Sequence, residues 1–412
     1  MGMLNLDNVS QASAPGGYDR TSRRFVLASL ARFPHGCLHL VEPDGNRITI
    51  GEGAPEAALE MNDWRTYRMM FTGGGLGAAE AYMENLWSSQ DLTAVVRFFA
   101  ANVEHMQALE KGMARVVRPL RAWFHALNRN SLRGSRRNIS AHYDLGNDFF
   151  SLFLDSQMMY SSAVFESESE SLEKASERKL DLLCQKLDLK PEHHLLEIGT
   201  GWGGMAIWAA RHYGCRVTTT TISREQYEFA RARVEQEGLA DRVTVLDQDY
   251  RELTGQYDRL VSVEMIEAVG HQYLPEYFSR LGSLLKPDGR MVLQAITVPE
   301  QRYRFALKNV DFIKRYIFPG GFLPSVEVML GQLSRQTRLV VQDIEDIGHD
   351  YALTLRAWRE RFLGASDAVA SQGFDGRFRR TWDYYLAYCE GAFLERAIST
   401  VQLVAAGPAW RP

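Results

Sequence analysis

The chain has 412 residues, with 47 basic and 51 acidic side chains, a formal net charge of -4 and 45% hydrophobic residues. This is ordinary globular composition, enough for two domains, and it gives no global charge with which to hold a nucleic acid. No run approaches the roughly eighteen uninterrupted apolar residues of a membrane-spanning helix, and four cysteines without a CxxC pair argue against a disulfide framework or a metal site and for a reducing, cytoplasmic setting.

The opening, MGMLNLDNVSQASAPGG, has no basic region followed by an apolar one. It reads as a disordered tail over 1–20 rather than a secretory signal. Over 21–125, strand-like runs (CLHLV, RITI) mix with helical ones (AEAYMENLW, LTAVVRFFAANV), which predicts a smaller mixed α/β domain. From Lys111 to Tyr143 there is no acid, and arginines such as Arg115, Arg118 and Arg121 interleave with Val116, Val117, Trp123 and Phe124. Such a segment is either a basic linker, placed at 126–140, or a surface that sets arginines on anionic headgroups and apolar side chains into the membrane interface.

From 141 to 412, strands and helices alternate. HLLEI, CRVTTTTI, RVTVLDQDY, DRLVSVEMIEAV, GRMVLQAITV, RLVVQDIEDI and TVQLVAA are strand candidates. GMAIWAARHYG, SREQYEFARARVEQEG and LPEYFSRLGSLLKPDG are helical, the second opening on an S-x-x-Q capping box and the third stopped by Pro287 and Gly289. The alternation predicts a mostly parallel, seven-stranded, Rossmann-like sheet with its ligand at the carboxyl ends of the strands.

The stretch LLEIGTGWGG at 195–204 says which ligand. Gly199, Gly201 and Gly204 spell G-x-G-x-x-G, but the second strand ends in threonines, without the acid that a dinucleotide ribose wants. No G-K-[ST] follows for a triphosphate. What stands out is Glu197 ahead of Gly199, Gly201 and Gly203, an E-x-G-x-G-x-G turn whose bare backbone lets a cofactor without phosphates lie directly on it. This resembles the first motif of class I S-adenosylmethionine (SAM) methyltransferases.

Further stretches narrow the resemblance: HYDLGNDFFSLFLD (142–155), MMYSSAVF (158–165), TTISREQ (220–226), VEMIEAVG (263–270), YIFPGGFLPS (316–325) and WDYYLAYCEGAF (382–393). Together they resemble the cyclopropane-fatty-acyl-phospholipid synthases and mycolic acid methyltransferases, in wording closest to the plant-type branch. The resemblance covers about 140–405 and extends weakly, through 75–92, into an amino-terminal lipid-binding domain at 21–125, with 141–412 as the catalytic domain.

The resemblance implies that Glu197, Gly199, Gly201 and Gly203 line the methionine and ribose of SAM, with Tyr160 and Ser161 touching the cofactor. Thr221 and Gln226 replace the ribose-binding acid, and Gln248, Asp249 and Tyr250 border adenine. It implies an unsaturated phospholipid acyl chain as substrate, peripheral contact with the inner face of the membrane and a homodimer. Methyl transfer to an alkene leaves a carbocation, which calls for aromatic faces and exclusion of water. Tyr303, Phe305, Phe312, Tyr316 and Phe318 are candidates, each equally able to be plain core. Relatives hold a bicarbonate ion as base. Of its ligands this chain keeps Glu267, Ile296 and Tyr351, with Ser162 in place of a cysteine, Gln294 in place of a histidine, and Ala268 where many relatives have histidine. Glu264 and Glu267 both follow the fourth strand at the ligand end, and a raised pKa would let Glu267 donate a hydrogen bond. Cys389 reads as a small side chain near the site. Two products stay open: a cyclopropane ring, or a methyl-branched or methylene chain without ring closure.

Overall fold

The computed structural model describes residues 15–106 and 145–411. The acid-free segment, the 126–140 linker and most of the expected tail lie outside these residues. The described residues fall into two compact units, one of 15–106 with 375–391 and one of 145–374 with 392–411.

In the first unit, β1 (Gly36–Val41), β2 (Arg47–Glu52), β3 (Glu56–Met61) and β4 (Trp87–Ser88) form a sheet in the order β2-β1-β3-β4. CLHLV and RITI supply β1 and β2 as expected, and β1 pairs antiparallel with β2 but parallel with β3. β3 was not anticipated, yet its exposed Glu56, Ala58 and Glu60 alternate with buried Ala57, Leu59 and Met61, the two-residue period of a half-buried strand. Three helices, Gly17–Leu30, Arg65–Met83 and Leu92–Ala101, complete the described amino-terminal part, the first beginning within the stretch expected as tail and the third capped by Asp91 accepting from the Ala94 N–H at 2.9 Å. The chain then returns at 375–391 to finish the unit. Tyr82 Oη donates to Asp383 at 2.6 Å and Thr93 Oγ1 donates to Glu390 at 2.8 Å. Gly391 packs so tightly that a Cβ there would lie 2.7 Å from Val96 Cγ1. A linear division with everything after 141 in the catalytic domain misses this return, because only contacts between distant residues carry it.

In the second unit, β5 (His194–Ile198), β6 (Arg216–Thr221), β7 (Val243–Asp247), β8 (Tyr257–Val263), β9 (Leu285–Thr297), β10 (Val340–Asp346) and β11 (Ser399–Ala406) make one sheet in the order β10-β11-β9-β8-β5-β6-β7. They are the seven expected runs. β5 to β9 are parallel, and β11 runs antiparallel to both β9 and β10. Successive residues of a strand feed opposite faces. Leu260 and Leu293 pack with Tyr277, Phe278 and Leu281 of the helix Leu274–Leu284. Val261 and Val292 pack with Leu180 and Leu183 of the helix Leu172–Lys186 and with Met205 and Ala209 of the helix Gly204–Tyr213. The chain winds outward in both directions from β5 and β8, so their carboxyl ends form the crevice where such sheets take ligands.

Two local expectations are refined. The helix expected to run to Pro287 stops at Leu284, and Leu285 begins β9. The capping box is half formed. Ser223 Oγ accepts from the Gln226 N–H at 3.3 Å, but the Ser223 N–H goes to Thr221 Oγ1 at 3.1 Å, and Thr221 Oγ1 in turn donates to Gln226 Oε1 at 2.9 Å. Among the described residues no helix is long and apolar enough to cross a membrane.

Candidate active site

The glycine turn follows β5. Gly199 and Gly201 have φ of 101° and 52°, left-handed values that favour glycine. Hydrogen bonds from the Gly199 and Thr200 N–H groups to Thr220 O, at 3.0 and 3.1 Å, tie the turn to β6. Gly203 caps the helix Gly204–Tyr213 in the αL conformation. A Cβ on Gly201 would meet no atom of the described residues within 4 Å. The turn therefore presents bare backbone to open space, the cradle that a cofactor lying on the chain requires.

Glu197 lies in β5, two residues before this turn. It is 3% exposed and accepts from Thr219 Oγ1 at 2.6 Å, and burial pushes its carboxyl up to about 8. Thr221 and Gln226 are buried together at the carboxyl end of β6. Gln248, Asp249 and Tyr250 follow β7, with Thr220 Oγ1 donating to Gln248 O. The Asp249 carboxylate is turned to Arg251, which donates to it at 2.6 and 2.8 Å, and Tyr250 packs edge-on to Tyr277 at 5.4 Å.

The residues implied as bicarbonate ligands do converge, and on an unexpected partner. Glu264, directly after β8, accepts from the Ser162 N–H (3.0 Å) and Gln294 Nε2 (2.8 Å) on one carboxylate oxygen, and from Tyr351 Oη (2.6 Å) on the other. Its backbone is held at φ 49°, a region rare for a side chain other than glycine. Gln294 cannot turn its amide away. Gln402 Nε2 donates to Gln294 Oε1 at 3.0 Å, and Lys186 Nζ fixes Gln402 by donating to its oxygen. Loss of water raises the Glu264 pKa, against the three donors and the buried Lys179 ammonium. The donors offered to a bicarbonate ion are thus already taken by a carboxylate of the chain, so they do not fit that ion as an added ligand.

Glu267 and Ile296 meet as well. The Ile296 N–H donates to Glu267 Oε1 at 2.6 Å, while the buried Oε2 has no partner among the described residues. Burial first, and then Glu264, push the Glu267 carboxyl up to about 8, so it is largely neutral at pH 7 and able to donate. The insertion is pinned beside it by the Phe322 N–H on Glu267 O at 3.1 Å.

Ser161 accepts from Lys179 Nζ at 2.9 Å, a fully buried lysine whose charge acts on Asp155, Glu197 and Glu264. Tyr160 sits among rings: Trp358 at 5.2 Å, Phe150 at 5.3 Å and Phe318 at 6.4 Å between centroids. Trp202, 5.0 Å from Phe150, donates its indole N–H to Asn147 at 2.6 Å. Of the five aromatic candidates in the insertion, Phe318 is therefore beside Tyr160. Tyr303 instead bonds His271 Nδ1 at 2.6 Å, and Phe312 and Tyr316 pack together at 5.6 Å. Cys389, partly buried, lies on the helix Gly376–Leu394 in the stretch that belongs to the first unit. Sequence reasoning missed Lys179, which shares a buried helix face with Ala175 and Leu183, and offered Glu264 only by its spacing from Glu267.

The two raised carboxyls make stability depend on pH. Their ordinary value is 4.5 and their folded value about 8, so in that interval the folded protein keeps protons that the unfolded chain has released. Their stabilising contribution is full below 4.5 and lost as pH rises to about 8. Glu267→Gln, always neutral, therefore melts higher than wild type at pH 9 and nearly level with it at pH 4. Thermal denaturation at the two pH values checks this, and equal shifts at both would contradict it.

The Mycolic acid cyclopropane synthetase family profile matches residues 130–403. The chain is 38% identical over 384 residues to the Tuberculostearic acid methyltransferase UfaA1 of Mycobacterium tuberculosis, covering 91% of this chain and 89% of that protein. It is likewise 38% identical over 360 residues to the Cyclopropane-fatty-acyl-phospholipid synthase of Escherichia coli K12, covering 87% and 89%. Among solved structures, the mycolic acid cyclopropane synthase CmaA1 complexed with SAH and CTAB superposes with a TM-score of 0.61 at 31% identity, over 66% of this chain and 98% of that one. The fold is the expected class I methyltransferase fold with a mixed α/β amino-terminal part. The chain belongs to the mycolic acid cyclopropane synthetase family and is a SAM-dependent methyltransferase.

Proposed function

We propose that the protein transfers a one-carbon unit from SAM to the cis double bond of an unsaturated phospholipid acyl chain and closes a cyclopropane ring. The observation that carries this reading is the pairing of a hydrogen-bonded carboxylate, Glu264, with a neutral carboxyl, Glu267, after β8. The same unit supplies the aromatic cluster around Tyr160. SAM, when bound, supplies an electrophilic methyl group. The Gly199–Gly203 turn would hold it, with Tyr160, Ser161, Thr221 and Gln226 beside it and Gln248 to Tyr250 toward its base. Aromatic faces stabilise a cation without offering it a nucleophile, and a dry site keeps water from capturing it.

Expression in a host lacking its own cyclopropane synthase, followed by mass spectrometry of fatty-acid methyl esters, tests the reading. The expected product is about fourteen mass units heavier than its monounsaturated parent, the mass of an added CH2, and does not react with dimethyl disulfide. An unchanged profile removes the proposal. A methylene chain has the same mass but still reacts. That second reading is favoured by the similarity to a tuberculostearic acid methyltransferase, and a reactive product would establish it.

Access to lipid is assigned to the acid-free segment from Lys111 to Tyr143, on sequence alone. The protein is expected to float with phosphatidylglycerol vesicles at low salt and to be released at high salt. Protein that stays in the dense fraction at low salt counts against peripheral membrane contact.

A further inference from the structure

We infer that Glu264 is a built-in general base: its carboxylate stands where relatives are implied to hold bicarbonate, and it takes the proton released after methyl transfer. The inference rests on the function proposed above. Three observations carry it.

The first is occupancy. Ser162 N–H, Gln294 Nε2 and Tyr351 Oη belong to three of the five residues in the implied ion site, and all three donate to this one side chain at 2.6 to 3.0 Å. Ser162 and Gln294 are buried, at 0% and 1% exposure, and Tyr351 nearly so. Buried donors left without an acceptor are costly, so the chain supplies the acceptor itself.

The second is specification. Lys186, Gln402 and Gln294 form a relay that leaves the Gln294 amide N–H₂ facing Glu264. Unlike an imidazole, an amide donates at every pH. The exchange of histidine for glutamine is then a match to a carboxylate built into the chain rather than the loss of a ligand.

The third is backbone strain. Glu264 is held at φ 49°, a strained conformation for a residue other than glycine. The Glu264 N–H bonds Gln294 O at 2.8 Å, locking that geometry to β9. Residues kept in such regions cluster at functional sites.

The step balances. A proton leaves the transferred methyl group, its C–H electron pair closes the third carbon–carbon bond onto the cationic carbon, and the carboxylate becomes a carboxyl. No oxidant or reductant is needed. Three hydrogen bonds and Lys179 favour the ionised form that can accept the proton, while loss of water raises the pKa and makes the group basic enough to take it.

The test uses the full-length protein, SAM and dioleoyl phosphatidylglycerol vesicles in buffer stripped of carbon dioxide, reading both SAH formation and ring formation. Wild type is expected to turn over at the same rate with or without added bicarbonate. Glu264→Gln, which fills the same space without basicity, loses about 100-fold or more in ring formation. Glu264→Gly relieves the backbone and vacates the space of a carboxylate, and it regains ring formation when bicarbonate or formate is added. Calorimetric uptake of SAH shows that each variant is folded, and the near-isosteric glutamine variant carries the test if the glycine variant does not fold. A wild type that needs bicarbonate, or a glutamine variant with wild-type ring formation, overturns the inference alone. A wild type that transfers no methyl to the vesicles overturns the function on which it rests.

Discussion

Gly201→Val binds SAM and SAH at least about 100-fold more weakly than wild type in titration calorimetry, a loss of roughly 3 kcal/mol. The reason lies in what surrounds the position. A Cβ there would meet no atom of the described residues within 4 Å, so the added carbons enter the space above the turn, where the cofactor is proposed to lie. The left-handed backbone, at φ 52°, adds strain of about 1–3 kcal/mol, and this has to be separated from occupancy. Gly238 provides the control. It also has a positive φ, 66°, and open space at its Cβ, but it lies just beyond the helix Arg224–Gln236 rather than in the turn. Gly238→Val is expected to lower the melting temperature to a similar degree and to bind both nucleosides normally. Undiminished affinity in folded Gly201→Val would show that the cofactor does not rest on this turn.

The second large effect concerns Lys179. It is 0% exposed, donates to Ser161, and is the cation that opposes the burial penalty of Asp155, Glu197 and Glu264. Burial holds its own pKa down at about 8, so the ammonium persists through its carboxylate neighbours. Lys179→Met keeps the length and removes the charge. Leaving buried carboxylates without their cation costs about 3–5 kcal/mol, a fall in melting temperature of roughly 10 °C at pH 7. The deficit narrows at pH 5, where the carboxyls take up protons and the lysine of the wild type loses its partners. Thermal melts at the two pH values read this directly, and a deficit independent of pH would mean that Lys179 contributes packing alone. Ring formation falls as well, since Glu264 is then protonated at lower cost.

Much of the second unit is legible from the chain, because its signals are local. The seven strand runs, the E-x-G-x-G-x-G turn and the serine cap at Ser223 each depend on residues within a few positions of one another. The site is legible only as far as its members carry motifs. Ser162, Gln294, Ile296 and Tyr351 could be placed by resemblance, but not the carboxylate that binds three of them. Glu264 is 102 positions from Ser162, 30 from Gln294 and 87 from Tyr351, and nothing in VEMIEAVG says that its side chain turns inward. Lys179 is hidden for another reason: a lysine on a charged helix such as LEKASERKLDLLCQK reads as solvated until the packing of Ala175 and Leu183 fixes which face is buried. The aromatic cluster around Tyr160 comes from Phe150, Phe318 and Trp358, three separate stretches, and so escapes any reading of the insertion by itself.

The first unit is made of two pieces of chain separated by more than 250 residues, 15–106 and 375–391. During synthesis the ribosome releases the sheet and its three helices early, but the partners of Tyr82 and Thr93, namely Asp383 and Glu390, emerge late. Domains commonly fold in the order they are made. Here the amino-terminal piece waits, with Tyr82, Trp87 and Val96 uncovered, until the whole intervening sheet has left the exit tunnel. Nascent chains stalled before residue 375 are therefore strongly exposed to chaperone capture, and the unit whose synthesis began first closes only when the chain is nearly complete.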